Sequence, residues 1–228
     1  MLGPVCPSDK IGDSDRDLIM RSAMEDGTLL QPSRPATQLD MMFVDAVFGK
    51  SSSAAAAPSA ASGAAASGAA EIWFADTTVS NSRFGVLFAA RLGKTYKVDV
   101  VNDLGFNLRT FVAVEANTTD VLTAASFGQL VLTANDMYDF YMYNFANRFT
   151  NGWAVLGEVS TKWVGISEAR MKNIVATETD LTVIVKGAPN ETVTLTFVAP
   201  RSKTTVTLTC PVGEDSSATF SMPAKACY

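Results

Sequence analysis

The sequence predicts a mainly β protein built as an antiparallel β-sandwich. From residue 71 onward, apolar side chains recur at every second position, which is the period of a strand with one buried face. Residues typical of turns separate these segments at short and regular intervals. Many short alternating strands joined by tight turns indicate two antiparallel sheets packed face to face.

The clearest strands lie at residues 181–185, 192–197 and 205–210, where apolar residues alternate with threonine. Turn residues fall between them, as at Gly187-Ala188-Pro189-Asn190. Further strands are predicted at residues 71–76, 83–90, 95–100, 109–116, 128–133, 137–145 and 152–159. These segments together supply enough strands for the two sheets.

Residues 51–70 contain only Ser, Ala, Gly and Pro. Alanine favours a helix, but the serines, the glycines and Pro58 interrupt it, and no apolar stripe is present to dock it. We interpret this segment as a disordered insertion in a surface loop.

Composition excludes several classes of function. The 228 residues are 47% hydrophobic and 18% charged, with a net charge of −5 and a sequence pI near 4.8. An acidic chain without clustered Lys and Arg does not suit the phosphate backbone of a nucleic acid. No window approaches the roughly 20 apolar residues of a membrane span. No motif for a cofactor is present, and the sequence leaves the oligomeric state open.

The chain contains no histidine, which excludes Ser-His-Asp and Cys-His nucleophiles and imidazole ligands for a metal. Its three cysteines, Cys6, Cys210 and Cys227, lack the spacing of a metal site. Cys210 and Cys227 either form a disulfide, which would stabilise the fold by about 3 kcal/mol, or remain reduced as small buried side chains. Any hydrolysis by this chain would have to use carboxylates.

The first fifty residues carry a series of short motifs. In order they are Gly3-Pro4-Val5, Ser8-Asp9-Lys10, Asp26-Gly27-Thr28-Leu29-Leu30, Pro32-Ser33-Arg34-Pro35 and Asp40-Met41-Met42-Phe43. Between the second and third motifs, Ser14 is a candidate N-cap for a short helix that ends before Asp26 and Gly27.

This series resembles the raffinose synthases and alkaline α-galactosidases, which are glycoside hydrolases of the α-galactosidase superfamily. In that family the block lies where the catalytic (β/α)8 barrel ends and a C-terminal β-domain begins. The resemblance implies that residues 1–50 are the terminal strand and helix of a barrel, and that residues 71–228, beyond the insertion, are the C-terminal antiparallel β-sandwich. A barrel strand at the N-terminus would need partners that this chain does not contain.

Both catalytic carboxylates of the family lie upstream of the block. The resemblance therefore implies a non-catalytic region that supports a barrel acting on α-galactosides, in a cytoplasmic protein. No catalytic residue is assigned to this chain. The alternative is a free-standing carbohydrate-binding or adhesive β-sandwich module.

Asp9 and Lys10 are the candidate substrate-binding residues. By the resemblance they would follow a barrel strand, and the active site of that fold lies at the C-terminal ends of its strands. Contact with sugar hydroxyls is one role for this pair. The other is stabilisation of the loop that precedes the helix.

The segment 138–145 is rich in aromatic residues and is a candidate platform for stacking against sugar rings. The alternative, which we favour, is a strand buried between a sheet and a neighbouring domain, part of it facing the barrel. The carboxylates Glu115, Asp136, Asp139 and Glu158 lie near strand ends, but nothing in the sequence brings two of them together.

Two tripeptides, Asn117-Thr118-Thr119 and Asn190-Glu191-Thr192, match the acceptor pattern for N-glycosylation. Both fall at predicted turns. They make Asn117 and Asn190 candidate glycan sites and are compatible with secretion, whereas the family resemblance favours the cytoplasm.

Overall fold

A computed structural model describes residues 13–48, 70–116, 118, 120–123, 128–135 and 139–228. Within these ranges every strand pairing is antiparallel, and helices are confined to the N-terminal segment. The predicted mainly β class with antiparallel sheets is confirmed.

The helices are α1 (Arg16–Met20) and α2 (Asp40–Phe48). The strands are β1 (Thr37–Gln38), β2 (Glu71–Val79), β3 (Ser82–Ala90), β4 (Tyr96–Asp99), β5 (Phe111–Glu115), β6 (Val121–Thr123), β7 (Gln129–Leu132), β8 (Phe140–Asn147), β9 (Ala154–Gly157), β10 (Met171–Ala176), β11 (Leu181–Lys186), β12 (Thr192–Val198), β13 (Thr205–Pro211), β14 (Ser217–Met222) and β15 (Ala226–Cys227).

The largest sheet has six strands in the order β1-β2-β3-β8-β5-β6. A two-stranded sheet, β4-β7, belongs to the same half of the chain. The C-terminal half contains a four-stranded sheet, β10-β11-β14-β15, and a three-stranded sheet, β13-β12-β9. The strands are thus divided among four sheets, and the six-stranded sheet lies at their centre.

Each face of the six-stranded sheet contributes residues to a different hydrophobic core. Alternate residues of β5 show this directly, because Phe111 and Ala113 belong to one core and Val112 and Val114 to the other. The first core is completed by β4 and β7, and the second by the C-terminal sheets. At Gly85 the missing side chain leaves room for the ring of Phe74 to pack against the backbone of β3.

The two C-terminal sheets pack together as a small sandwich. Leu195 and Phe197 on β12 and Val183 on β11 are fully buried in its core. A disulfide between Cys210 on β13 and Cys227 on β15 joins the two sheets. The structure therefore has the first of the two cysteine arrangements that the sequence allows.

Residues 13–48 lie along the β region and are tied to both of its halves. Lys162 Nζ donates to the backbone oxygen of Met20 at 2.8 Å, and Leu39 N donates to the backbone oxygen of Ile72 at 3.1 Å. Arg34 N donates to the backbone oxygen of Asp76 at 3.0 Å. The N-terminal segment and the sandwich thus share hydrogen bonds and core contacts.

The cap of the first helix differs from expectation. The side chain that caps α1 is Asp15, whose Oδ1 accepts from Leu18 N at 3.0 Å, whereas Ser14 was the predicted cap. The helix ends before Asp26 and Gly27, as predicted; its last residue is Met20, and Gly27 lies beyond it in a turn with a positive φ of 83°.

From residue 140 onward, the aromatic segment is an inner strand of the six-stranded sheet, and most of its residues are buried. Strand β8 pairs with β3 on one side and β5 on the other, so its backbone is hydrogen-bonded along both edges. Tyr143 and Phe145 are buried in the core shared with β4 and β7. Phe140, at the start of the strand, is its exposed aromatic residue, with 41% of its surface accessible.

Among the residues placed by the structure, no helix is both long and apolar enough to cross a membrane.

Candidate functional site

Three loops of the C-terminal half bring charged side chains to one point. Glu158 directly follows β9, Arg170 directly precedes β10, and Glu191 lies in the turn between β11 and β12. Backbone hydrogen bonds hold each loop in place: Glu158 N donates to Gly165 O at 2.9 Å, and Lys186 N donates to Arg170 O at 2.8 Å. We call Glu158, Arg170 and Glu191 the buried charge triad.

Arg170 is the centre of the triad and is completely buried. Its Nε donates to Glu158 Oε2 at 2.7 Å, and its Nη2 donates to Glu191 Oε1. Its Nη1 donates to the backbone oxygen of Lys186 at 2.8 Å. A guanidinium in a buried site requires such partners for its donors, and here residues at or next to the ends of β9, β11 and β12 supply them.

The two carboxylates of the triad experience different environments. Burial raises the pKa of Glu158 above its ordinary value by more than the attraction and hydrogen bonding of Arg170 lower it. For Glu191, burial acts to raise the pKa, but hydrogen bonds from Arg170 and from the backbone N–H of Ala188 hold the pKa below its ordinary value. The Ala188 N to Glu191 Oε2 distance is 2.9 Å.

A polar cleft with a volume of about 410 Å³ opens beside the triad. Its carboxylates are Glu25, Glu158 and Glu191, and its other polar groups are Thr161, Lys162, Asn190 and Thr192. Pro189 supplies apolar surface. The cleft therefore combines hydrogen-bond acceptors and donors around a space that a small polar molecule could enter.

Lys162 connects this cleft to the N-terminal segment. Its Nζ donates to Met20 O at 2.8 Å and to Ala23 O at 2.5 Å, which places the ammonium over the end of α1. Burial lowers the pKa of Lys162 from its ordinary value, although Glu158 acts in the opposite direction. The lysine thereby satisfies backbone carbonyls beyond the helix end.

The contacts within the triad provide charge compensation. A retaining glycosidase needs one carboxylic acid and one carboxylate free to reach the sugar, about 5 Å apart. Here both carboxylates accept hydrogen bonds from one guanidinium, and Glu158 is only 2% exposed. Two buried carboxylates without the arginine would be costly, so the three groups depend on one another.

Several residues predicted from the sequence fall outside the residues that the structure describes. These are Asp9, Lys10, Asn117 and Asp136. Asn190 lies on the exposed turn beside the cleft, and Cys210 and Cys227 form the disulfide described above. Among the strand-end candidates, Glu158 lies beside another carboxylate, Glu191.

The partnership of Glu158 with Arg170 and Glu191 was not predicted from the sequence. Arg170 is 12 residues from Glu158 and 21 residues from Glu191, and no local spacing rule connects them. One feature of the sequence could have drawn attention to the site: Glu191 is a carboxylate at a predicted turn, in the middle of the second glycosylation tripeptide. This feature does not identify Arg170 as its partner.

No protein-family model matches the chain, and no curated protein matches it significantly. Over the described ranges, no group of three or more His, Cys, Asp or Glu side chains is arranged to hold a metal ion.

Replacing Arg170 tests the dependence of the triad on its cation. We expect Arg170→Met to lower the free energy of unfolding by about 3–5 kcal/mol, because two buried carboxylates lose their counter-charge. Arg16→Met is the matched control, since Arg16 pairs with Glu25 at 3.1 Å on the surface and should contribute at most about 1 kcal/mol. Urea unfolding measures both. Equal effects of the two substitutions would contradict the role given to Arg170.

The depressed pKa of Glu191 predicts a specific loss of stability in acid. Its folded-state pKa lies below that of the unfolded chain, about 4.3, so the stabilisation is complete above that value. It is lost as the pH falls through the folded-state pKa. We expect Glu191→Gln to flatten this part of the curve of unfolding free energy against pH. Glu214→Gln, at an exposed position, is the control and should leave the curve unchanged. Identical curves for the wild type and Glu191→Gln would refute the assignment.

Proposed function

We propose that this chain is the non-catalytic C-terminal region of a glycoside hydrolase similar to raffinose synthases and α-galactosidases, and that it supports a barrel acting on α-galactosides. The motif series in the first fifty residues is the basis for this choice of family. The observation that carries the supporting role is the exposed apolar side of α2, a helix that begins with the last motif of that series.

Helix α2 buries little of its apolar surface against the β region. Met42 is buried, whereas Phe43, Val44, Val47 and Phe48 are each more than half exposed. These four positions are spaced so that they share one side of the helix. A contiguous apolar patch rimmed by polar residues is typical of a surface that another protein body covers. We call these four residues the α2 apolar side, and the catalytic barrel is its proposed occupant.

The buried charge triad supports the non-catalytic part of the proposal. Two of the three carboxylates that line the cleft, Glu158 and Glu191, are engaged by Arg170, which opposes a role for either as the acid or the nucleophile of a glycosidase. The charged residues of this half of the chain therefore stabilise its loops.

A second candidate, a free-standing carbohydrate-binding module, is favoured by aromatic residues at one end of the six-stranded sheet. Trp73 pairs with Phe88 and Phe88 pairs with Met142, so these side chains share a face. The rings of Phe88 and Phe140 lie 5.5 Å apart between centroids, and the side chains are 37% and 41% exposed. Exposed rings on a sheet face suit the C–H faces of sugars.

The first proposal predicts that residues 1–228 have no hydrolase activity of their own. The purified chain should neither hydrolyse aryl α-galactosides nor transfer galactose between sugars, because the proposal assigns both catalytic carboxylates to the barrel. Assays with a chromogenic galactoside measure this, with Glu158→Gln and Glu191→Gln as the informative variants. Turnover that either substitution abolishes would contradict the proposal.

Two further results would also decide between the candidates. Messenger RNA that continues in frame upstream of Met1 and encodes barrel strands with two aspartates would favour the supporting role. Micromolar binding of a galactoside by calorimetry, lost in Phe88→Ala with Phe140→Ala, would favour the binding module instead.

The α2 apolar side predicts that the chain self-associates when no barrel covers it. We expect sedimentation velocity to show concentration-dependent association that Val47→Ser with Phe48→Ser reduces, because these substitutions remove exposed apolar area. Val175→Ser, on exposed strand β10, is the control. If both variants behave like the wild type, the α2 apolar side is not an interaction surface.

A further inference from the structure

The tripeptide Asn190-Glu191-Thr192 lies in the turn between β11 and β12, and its middle residue differs in exposure from its two neighbours. The side chain of Glu191 enters the protein to bind Arg170, while Asn190 and Thr192 on either side are exposed. The backbone N–H of Asn190 donates to Val212 O at 3.0 Å, and its φ of 67° is a left-handed conformation that asparagine tolerates. The acceptor asparagine therefore stands at the tip of a firmly held turn.

The disulfide between Cys210 and Cys227 is an independent observation that bears on the cellular compartment of the protein. Disulfides form and persist in oxidising surroundings such as the lumen of the endoplasmic reticulum and the extracellular space. N-glycosylation of Asn-X-Thr produces bulky, solubilising surface modifications of proteins that pass through this route. The disulfide and the exposed tripeptide thus indicate the same compartment.

We infer that Asn190 carries an N-linked glycan whose first sugar lies in the mouth of the polar cleft. The donor class is an oligosaccharide joined to a lipid pyrophosphate. The amide nitrogen of Asn190 forms a bond to the anomeric carbon of the donor, and the bond from that carbon to the pyrophosphate oxygen breaks. The pyrophosphate leaves with the electron pair, and the amide proton passes to a base of the transferase.

The cleft provides polar groups for this first sugar. Asn190 is itself part of the cleft wall, so a sugar attached there begins at the cleft. The carboxylate of Glu25 and the hydroxyl groups of Thr161 and Thr192 lie on the same wall and match the hydroxyl and amide groups of an amino sugar. Pro189 offers apolar surface to a sugar ring.

Expression of the full chain in the secretory pathway of a glycosylating eukaryotic cell tests the attachment. In an Asn117→Gln background, we expect one glycan, seen as a mobility shift that peptide N-glycosidase removes and as a modified Asn190 peptide in mass spectrometry. Thr192→Ser should retain the shift, whereas Thr192→Ala and Asn190→Gln should lose it completely. Secreted protein with a closed Cys210–Cys227 disulfide and an unmodified Asn190 peptide would overturn the inference.

A second measurement tests the place of the first sugar. Protein trimmed by an endoglycosidase to a single sugar is compared with the same sequence produced without glycosylation in an oxidising bacterial compartment. We expect the single sugar to raise the Tm by about 3 °C, and to slow amide exchange in residues 158–162. Equal Tm values and equal exchange rates would show that the first sugar does not occupy the cleft.

Discussion

The contribution of both faces of the six-stranded sheet to separate hydrophobic cores is the constraint on which the other parts of the structure depend. An antiparallel sheet usually leaves one face to water, and its strands then alternate apolar and polar residues. Strand β5 instead places Phe111 and Ala113 in one core and Val112 and Val114 in the other. Each layer is therefore needed to cover the sheet, and the C-terminal sandwich stabilises the strands that precede it.

This arrangement explains the position of the buried charge triad. Apolar side chains of the C-terminal sheets pack against one face of the central sheet. The loops that connect the C-terminal strands must therefore reverse the chain direction without exposing this core to water. Arg170 meets this need by binding the loop after β9 and the turn before β12 in a single set of hydrogen bonds. A buried ion pair adds little net stability over apolar packing, but the loss of one partner is costly, so the triad fixes the geometry of these loops.

Each of the ten segments predicted as strands corresponds to a strand of the structure, whereas β1, β6, β10, β14 and β15 were not predicted. The segments 181–185, 192–197 and 205–210 correspond to β11, β12 and β13, because an apolar residue recurs there at every second position. Strand β10 was missed because a register shift between Met171 and Asn173 breaks the period of two. Strand β14 was missed because serine and alanine give weak contrast between its faces. The triad joins loops that are distant in sequence, and one-dimensional periodicity contains no information about such contacts.

The family resemblance and the structure favour different cellular compartments. The resemblance favours the cytoplasm, where thiols are kept reduced, whereas the structure joins Cys210 to Cys227 across two sheets and exposes Asn190 on a turn. A motif series constrains the ancestry of a fold, but not the route that a protein takes through the cell. A disulfide instead depends on the redox conditions along that route. The disulfide supports the proposed passage through an oxidising compartment, and it is compatible with a supporting role beside a barrel that is itself secreted.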